Sequence, residues 1–304
     1  MEVLDLFCGA GGLSSGFSRA GYNVTGIDYS KAAVDTYNAN IKTGNALKKD
    51  LFKEKIKGDF DLIIGGPPCK PWSSVNVTKR GKKHHDYGLL SIYFEHVARL
   101  KPKAFLLENV PLLNNTDVLE KNIEKISKIG FKISKQVICY SDLGAPTIRR
   151  RLLVFGVLNG NSDILFEGLN RGHHKNKIVK DVIWYLRKES KGAVPDHDWP
   201  VLNTINKYKK YYKTGKYGWY ILNWDEPAHS FGNIMKTYIL HPDSFKSINA
   251  RVISVKEALL IMGFDKKFKF PDGTGLRERY QMVADSVSPI LSFEVAKIIK
   301  QQIF

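Results

Sequence analysis

The sequence has little cysteine: Cys8, Cys69 and Cys139 are the only three in 304 residues, and no two stand at C-x-x-C spacing. That scarcity excludes a disulfide framework and a cysteine-rich structural zinc site, and it points to reduced thiols in an intracellular setting. No apolar run reaches the roughly 18 residues that a membrane-spanning helix needs. The opening Met1-Glu2-Val3-Leu4-Asp5 carries acids where a secretory signal needs positive charge. The expectation is a protein that is neither secreted nor embedded in a membrane. Negative charge is also scarce, with 30 Asp and Glu against 47 Lys and Arg, a net charge of +17 and a pI near 9.6. Lysine and arginine that neutralise phosphates release condensed counterions, so nucleic acid is the leading partner. Neither an internal repeat nor a low-complexity tract occurs. What is present, 43% apolar and 12% aromatic residues, suffices for packed cores in about two domains.

Through the first half, short apolar runs alternate with helical periodicity. Strands are expected at Val3–Phe7, Asn23–Ile27, Leu62–Gly65 and Ala104–Leu107. Helices are expected at Leu13–Ala20, Lys31–Asn40 behind a Ser30 cap, Leu89–Leu100 and Val118–Ile129. That rhythm predicts an α/β protein built of βαβ units on a parallel sheet. Lys132–Cys139 and Leu152–Val157 read as an extended pair that closes the sheet. Beyond Val157 the alternation stops, which points to a second, smaller domain. Within it, Lys207 to Tyr220 interleaves five lysines with five tyrosines and Trp219 and holds no acid. Two readings are open: a solvated loop with aromatics packed beneath it, or a surface that tracks phosphates and presents planar groups to nucleic acid. Helices are expected again at Ser254–Met262 and Pro289–Ile303.

Asp5-Leu6-Phe7-Cys8-Gly9-Ala10-Gly11-Gly12-Leu13 places a glycine-rich turn between the first strand and the first helix, where an open α/β sheet binds nucleotide-like ligands. Ser14 occupies the third glycine position of the dinucleotide fingerprint, so the match is incomplete. Asp28, 19 residues beyond Gly9, is placed to accept from ribose hydroxyls, and Tyr29 to stack on adenine. An adenine dinucleotide and S-adenosylmethionine satisfy this equally. Gly65-Gly66-Pro67-Pro68-Cys69-Lys70-Pro71-Trp72-Ser73 separates them, because it resembles the DNA cytosine-5 methyltransferase family, whose nucleophile lies in such a Pro-Cys. The likeness continues in order through Glu108-Asn109-Val110, Arg149-x-Arg151, Arg251 to Phe264 and Tyr280 to Val287.

The resemblance implies a doubly wound, mostly parallel sheet of the S-adenosylmethionine-dependent type over residues 1–157 with 279–304 returning, and a target-recognition domain over 158–278. It resembles the stand-alone bacterial and archaeal modification enzymes in its small size. It makes Cys69 the nucleophile at carbon 6 of a flipped cytosine, because carbon 5 is too weak a nucleophile until a thiolate adds to the ring. A thiolate needs nearby positive charge, which Arg149 and Arg151 supply, Arg151 also meeting the base carbonyl. Glu108 offsets charge at ring nitrogen N3. For S-adenosylmethionine the resemblance implies contacts from Phe7, Gly9, Gly11, Leu13, Asp28, Tyr29, Asp50, Leu51, Pro68, Leu90, Asp285 and Ser286. For double-stranded DNA it implies a closing basic loop with Lys79, Arg80, Lys82 and Lys83; Lys209, Lys210, Tyr212 and Ser230 are the further candidates.

His84-His85 and His173-His174 lack accompanying acids or cysteines at ligand spacing, so no metal is expected. Lys70 and Thr147 stand where the family commonly has Gln, Ala284-Asp285 where it has Gly-Asn, and Ser230 where it has Thr. Asp181-Val182-Ile183-Trp184, Trp224-Asp225-Glu226-Pro227-Ala228 and Leu240-His241-Pro242 are similar to methylases of a GGCC site. A monomer in the prokaryotic cytoplasm is expected, and a cognate restriction endonuclease of the same system would make no stable contact. A tRNA cytosine-5 methyltransferase is the alternative, but the Cys-Phe-Thr segment of that branch is missing. A catalytically silent relative would have lost Cys69 or Glu108, and both are here.

Overall fold

The computed structural model describes residues 1–68, 85–172, 174–215 and 219–304. The expected nucleophile Cys69 and the loop residues Lys79, Arg80, Lys82 and Lys83 lie outside the described residues. The chain divides into two compact units, one of Met1–Cys139, Arg150–His173 and Leu291–Phe304, the other of Tyr140–Arg149 and His174–Ile290.

The first unit is an α/β sheet assembled in the order β1 (Glu2–Leu6), α1 (Gly12–Arg19), β2 (Asn23–Asp28), α2 (Lys31–Asn40), β3 (Gly44–Lys48), β4 (Leu62–Gly65), α3 (Leu89–Leu100), β5 (Ala104–Asn109), α4 (Asp117–Ser127), β6 (Phe131–Cys139), β7 (Arg150–Leu158) and α5 (Asp163–Arg171). Among the described residues, seven strands lie in the order β3-β2-β1-β4-β5-β7-β6. The first five are parallel, and β7 runs antiparallel between β5 and β6. All six residues of β5 are buried, as expected for a strand covered on both faces. Helices α3 and α4 pack Leu90, Tyr93, Phe94, Val97, Leu119 and Ile126 against Leu4, Leu6, Ile63, Phe105 and Leu107 of the sheet. Under α2, a second cluster joins Cys8, Val34, Tyr37, Ile41 and Ala46. The Ser30 hydroxyl caps α2 by accepting the Ala33 amide. The sheet is doubly wound and mostly parallel, as expected.

Helix α5 belongs to the first unit although it lies past residue 157, because Leu165, Phe166 and Leu169 form an apolar face and Gly168 leaves room for Ile298. The second unit has short helices, α6 (Val179–Ile183), α7 (Thr204–Lys207), α8 (Lys210–Thr214), α9 (Ile234–Thr237), α10 (Val255–Ile261) and α11 (Leu276–Asp285), joined by isolated bridges. Every residue of α10 is buried, and Ser254 and Glu257 close its first turn as a reciprocal capping box. Arg251 adds a two-pronged ion pair to Glu257, 2.8 Å at each prong. Burial alone would raise the Glu257 carboxyl, but the hydrogen bonds and charge of Arg251 outweigh it and hold the group below its ordinary value. The closing helix α12 (Pro289–Gln302) enters the first unit from Leu291, where the Ser292 hydroxyl donates to the Leu13 carbonyl. Gly16 is needed there, since a Cβ would lie 2.2 Å from the Phe293 nitrogen.

Candidate functional site

In the first unit β1 leads out to β2 and β3, and the chain then returns to set β4 and β5 on the other side of β1. The strand order therefore reverses between β1 and β4, and ligands of such sheets bind at the carboxyl ends of these strands. The turn that leaves β1 holds Phe7, Gly9 and Gly11 with φ of 65°, 53° and 84°, a left-handed path that folds the backbone into a cradle. A Cβ on Gly9 would meet nothing within 4 Å, so this backbone faces open space, whereas at Gly11 it would press on Tyr37 at 3.0 Å. The Gly9 amide donates to Asp28 Oδ2 and the Ser30 amide to Oδ1, each at 2.9 Å. Asp28 thus joins the first turn to the second, and because a carboxylate can accept about four hydrogen bonds, ribose hydroxyls are still compatible with it.

Tyr29 beside it is 71% exposed, its ring available for stacking. Asp50 Oδ1 accepts the Phe52 amide at 3.0 Å, and Leu51, Leu13 and Leu90 are buried. Beneath the cradle lies a feature that the motifs do not announce. The Ser14 hydroxyl donates to Asp5 Oδ2 at 2.6 Å, and burial pushes the Asp5 carboxyl up to about 7 against the opposing effect of that bond. An acid inside an apolar strand was the available signal.

At the ends of β4 and β5, Glu108 Oε1 pairs with Arg151 Nε of β7 at 3.0 Å, the two side chains only 9% and 13% exposed. Gly66 keeps space beside this pair, because a Cβ there would lie 3.2 Å from Glu108 Oε2. Asn109 Nδ2 donates to the Pro67 carbonyl at 2.9 Å and so fastens the Gly66-Pro67-Pro68 segment to β5. Pro68 itself is half-buried. The sequence marked Asn109 as part of a motif but gave it no work. Below, the Tyr93 hydroxyl donates to the Leu106 and Ile63 carbonyls at 2.9 and 3.3 Å, across β5 and β4.

Arg149 does not share a strand with Arg151, because β7 starts at Arg150. It is buried in the second unit and donates to the Phe231 and Ala284 carbonyls at 3.2 and 2.7 Å. Asp285 accepts from Gln281 Nε2, and the buried Ser286 hydroxyl donates to the Met282 carbonyl. Ser230 is exposed. The aromatic rings after Lys207 turn onto one another: Tyr212 packs on Trp219 and Phe245, and Trp219 on Tyr238 at 4.6 Å between centroids. Burial of Tyr212 raises its hydroxyl above the ordinary range. Exposed Lys209 and Lys210 ride over the Phe245 and Tyr211 rings. The three GGCC-like segments also meet, through Trp184 on Trp224 and Trp224 on His241. Among the described residues no group of three or more His, Cys, Asp or Glu could hold a metal, and no helix is long and apolar enough to cross a membrane.

A glycine cradle at the switch point of such a sheet lies where open α/β folds bind nucleotide-like ligands. Residues 1–301 match the C-5 cytosine-specific DNA methylases, and the chain belongs to that family. It is a DNA cytosine-5 methyltransferase. It is 29% identical over 342 residues to the Type II methyltransferase M.FnuDI of Fusobacterium nucleatum, covering 99% of this chain and 94% of that protein. With the Type II methyltransferase M.NgoPII of Neisseria gonorrhoeae it shares 28% over 336 residues, 99% and 96% of the two chains. The fold is similar to that of the S. pombe Dnmt2 methyltransferase, at a TM-score of 0.76 and 17% identity over 100% of both chains. Family and fold imply S-adenosylmethionine as methyl donor and DNA as substrate.

Proposed function

We propose that this chain methylates carbon 5 of a flipped cytosine within a specific double-stranded DNA sequence, through a covalent adduct with Cys69. The Glu108–Arg151 pair carries this reading: a carboxyl and a guanidinium held together next to the segment that leads to Cys69 suit the two polar edges of a cytosine ring. The open backbone at Gly9, the Asp28 carboxylate and the exposed Tyr29 ring fit an adenosine-bearing cofactor. Phe7, Gly9, Gly11, Leu13, Asp50, Leu51, Pro68 and Leu90 of the same unit would complete its pocket. When bound, that cofactor supplies an electrophilic methyl group on a sulfonium.

The Cys69 thiolate adds to carbon 6 of the ring, and Glu108 shares a proton with N3 as negative charge builds there. Arg151 holds the carbonyl oxygen of the base. Carbon 5, made electron-rich, takes the methyl group, and loss of its proton with departure of Cys69 restores the aromatic ring. The second unit contains the target-recognition region, GGCC-type sites being the first to inspect, and Lys79, Arg80, Lys82 and Lys83 grip the backbone beside the flipped nucleotide.

Bisulfite sequencing of DNA from cells expressing the wild type and Cys69→Ser tests this reading. One methylated sequence context is expected with the wild type and none with the variant. Incubation with duplexes containing 5-fluorocytosine in that context should trap a denaturation-resistant adduct. Methylation that persists in Cys69→Ser would overturn the covalent mechanism.

A further inference from the structure

The segment 50–57 that follows β3 belongs to no helix or strand, so no ladder of backbone bonds sets its position. Its first half is a compact turn: the Asp50 carbonyl accepts the Lys53 and Glu54 amides, and Glu54 Oε1 accepts the Asp50 amide at 3.1 Å. Its second half is held by α3. The Ile56 amide donates to His96 Nε2 at 3.3 Å, and the Arg99 guanidinium donates to the Ile56 carbonyl, so one helix takes both backbone polar groups of Ile56. Ile56 and Leu51 sink into the same core cluster as Leu90, Phe94 and Val97 of α3. Where α3 begins, a Cβ on Gly88 would lie 3.4 Å from the Phe52 ring. The segment therefore lies along α3 and meets it near both ends.

These bonds also fix the state of the histidine. A carbonyl only accepts, so the Nδ1 that meets the Ile92 carbonyl at 2.8 Å carries the proton; an amide only donates, so Nε2 is bare. A second ring proton would set donor against donor and leave the Ile56 amide without an acceptor, beside a side chain only 4% exposed. Arg99 and Glu95 on the same helix and Lys55 on the segment are the charged groups that face His96, and burial is the largest of the influences that hold the ring below its ordinary value. We propose that His96 and Arg99 are positioning residues for the cofactor: through Ile56 they hold the turn that bears Asp50 and Leu51, and the hold fails when His96 takes a second ring proton. The inference rests on the functional reading above, which gives Asp50 and Leu51 to the adenosine-bearing cofactor.

Calorimetric titration of the whole protein with S-adenosylhomocysteine, from about pH 8 down to about pH 5, tests it on the wild type, His96→Gln, His96→Leu and Arg99→Met. Glutamine keeps an acceptor for the Ile56 amide and does not titrate, whereas leucine removes the acceptor. At about pH 8, His96→Gln should bind within about threefold of the wild type. His96→Leu and Arg99→Met should bind about tenfold or more weakly, the usual loss when a buried hydrogen bond is left with one partner. As pH falls below the ordinary histidine value of about 6.5, wild-type affinity should decline by up to about tenfold per pH unit, one proton being linked to binding. His96→Gln should lack that decline, and any effect of Asp5, which both proteins share, cancels in the comparison. A merely structural role would lower a variant's melting temperature without moving this profile. Equal pH profiles in the wild type and His96→Gln overturn the proposal, as does wild-type affinity in both His96→Leu and Arg99→Met; should His96→Leu fail to fold, the first comparison decides. Wild-type binding that ignores pH overturns the inference alone, whereas a wild type that binds no S-adenosylhomocysteine at any pH overturns the cofactor reading and the inference with it.

Discussion

Asn109 donates from Nδ2 to the Pro67 carbonyl at 2.9 Å, while its Oδ1 receives the Val110 amide at the same distance. One side chain thereby fixes the end of β5 to the segment that precedes Cys69 by two residues in the chain. Asn109→Ala should leave cofactor affinity intact and slow methyl transfer on the order of 10- to 100-fold, the usual penalty for a reacting group displaced by about an ångström. Transfer from labelled S-adenosylmethionine measures the rate and calorimetric titration the affinity. A wild-type rate in the variant would mean that the Pro67 anchor has no part in the chemistry.

The Glu108–Arg151 pair separates stability from catalysis. Arg151→Ala removes the cation from a shielded carboxylate, and losing one member of such a pair costs on the order of 3 to 5 kcal/mol, so a lowered melting temperature is expected. Glu108→Gln keeps the size of the side chain, should fold, and should slow transfer by roughly 10²- to 10⁴-fold through loss of acid–base function. Thermal unfolding and labelled transfer, run on both variants, distinguish the two effects.

Asp28→Ala should loosen the cofactor cradle, since it takes away the acceptor of both the Gly9 and the Ser30 amides. S-adenosylmethionine affinity should fall by about tenfold or more, one buried hydrogen bond to a charged group being worth roughly 1.5 to 3 kcal/mol. Calorimetry reads it directly, and an unchanged affinity would transfer the ribose contact to another residue.

Two buried groups give stability opposite dependences on pH. Burial lowers His241 to about 4, against the opposing charge of Glu257, and the Asp243 amide donates to its Nδ1, which marks the ring as neutral. The unfolded chain therefore binds the histidine proton between pH values of about 4 and 6.5, and this contribution to stability is present above that window and lost as pH falls through it. Asp5 behaves inversely: its carboxyl is raised to about 7, so the folded chain holds the proton and stability falls as pH rises from about 4 toward 7. In Asp5→Asn the compensation is gone, and denaturant unfolding should show stability climbing more steeply between pH 4 and 6.5 than in the wild type, by up to about 3 kcal/mol. Equal slopes in the two proteins would count against a buried, protonated Asp5.

Lys209 lies over the Phe245 ring, which packs on Tyr212, and Lys210 over the Tyr211 ring, which packs on Tyr208, and both lysines are exposed. Lys209→Ala with Lys210→Ala should weaken binding equally on cognate and mismatched duplexes. For every phosphate no longer gripped, the slope of log affinity against log salt should flatten by about 0.9. Changes at Ser230 should instead alter discrimination, where a hydrogen bond to a base edge is worth about 1 to 3 kcal/mol. Binding series at several salt concentrations on both duplexes decide between these roles, and a loss of discrimination in the lysine variant would make this segment a reader of bases.

The short-range features of the chain were legible without a structure. The glycine turn after β1 and the Ser30 cap are written in residues a few positions apart, the alternation of apolar runs with helical periodicity implies the layered sheet, and the ordered motifs around Cys69, Glu108 and Arg151 carry the resemblance to the methyltransferase family. Edge strand β3 escaped because only Ala46 of its five residues is buried, so almost no hydrophobic pattern marks it. Helix α5 carried the signal in Leu165, Phe166 and Leu169, but its polar surroundings resemble the segment that follows. Tertiary structure alone decided what Asn109, Arg149 and Asp5 do. Asn109 meets Pro67 across 42 residues, and Arg149 meets Phe231 and Ala284 across 82 and 135. The protonated state favoured by Asp5 follows from removal of water around it, a property of the packed sheet that no local pattern encodes. Caps and periodicities act between neighbours in the chain, whereas these bonds and this desolvation exist only once distant segments have been brought together.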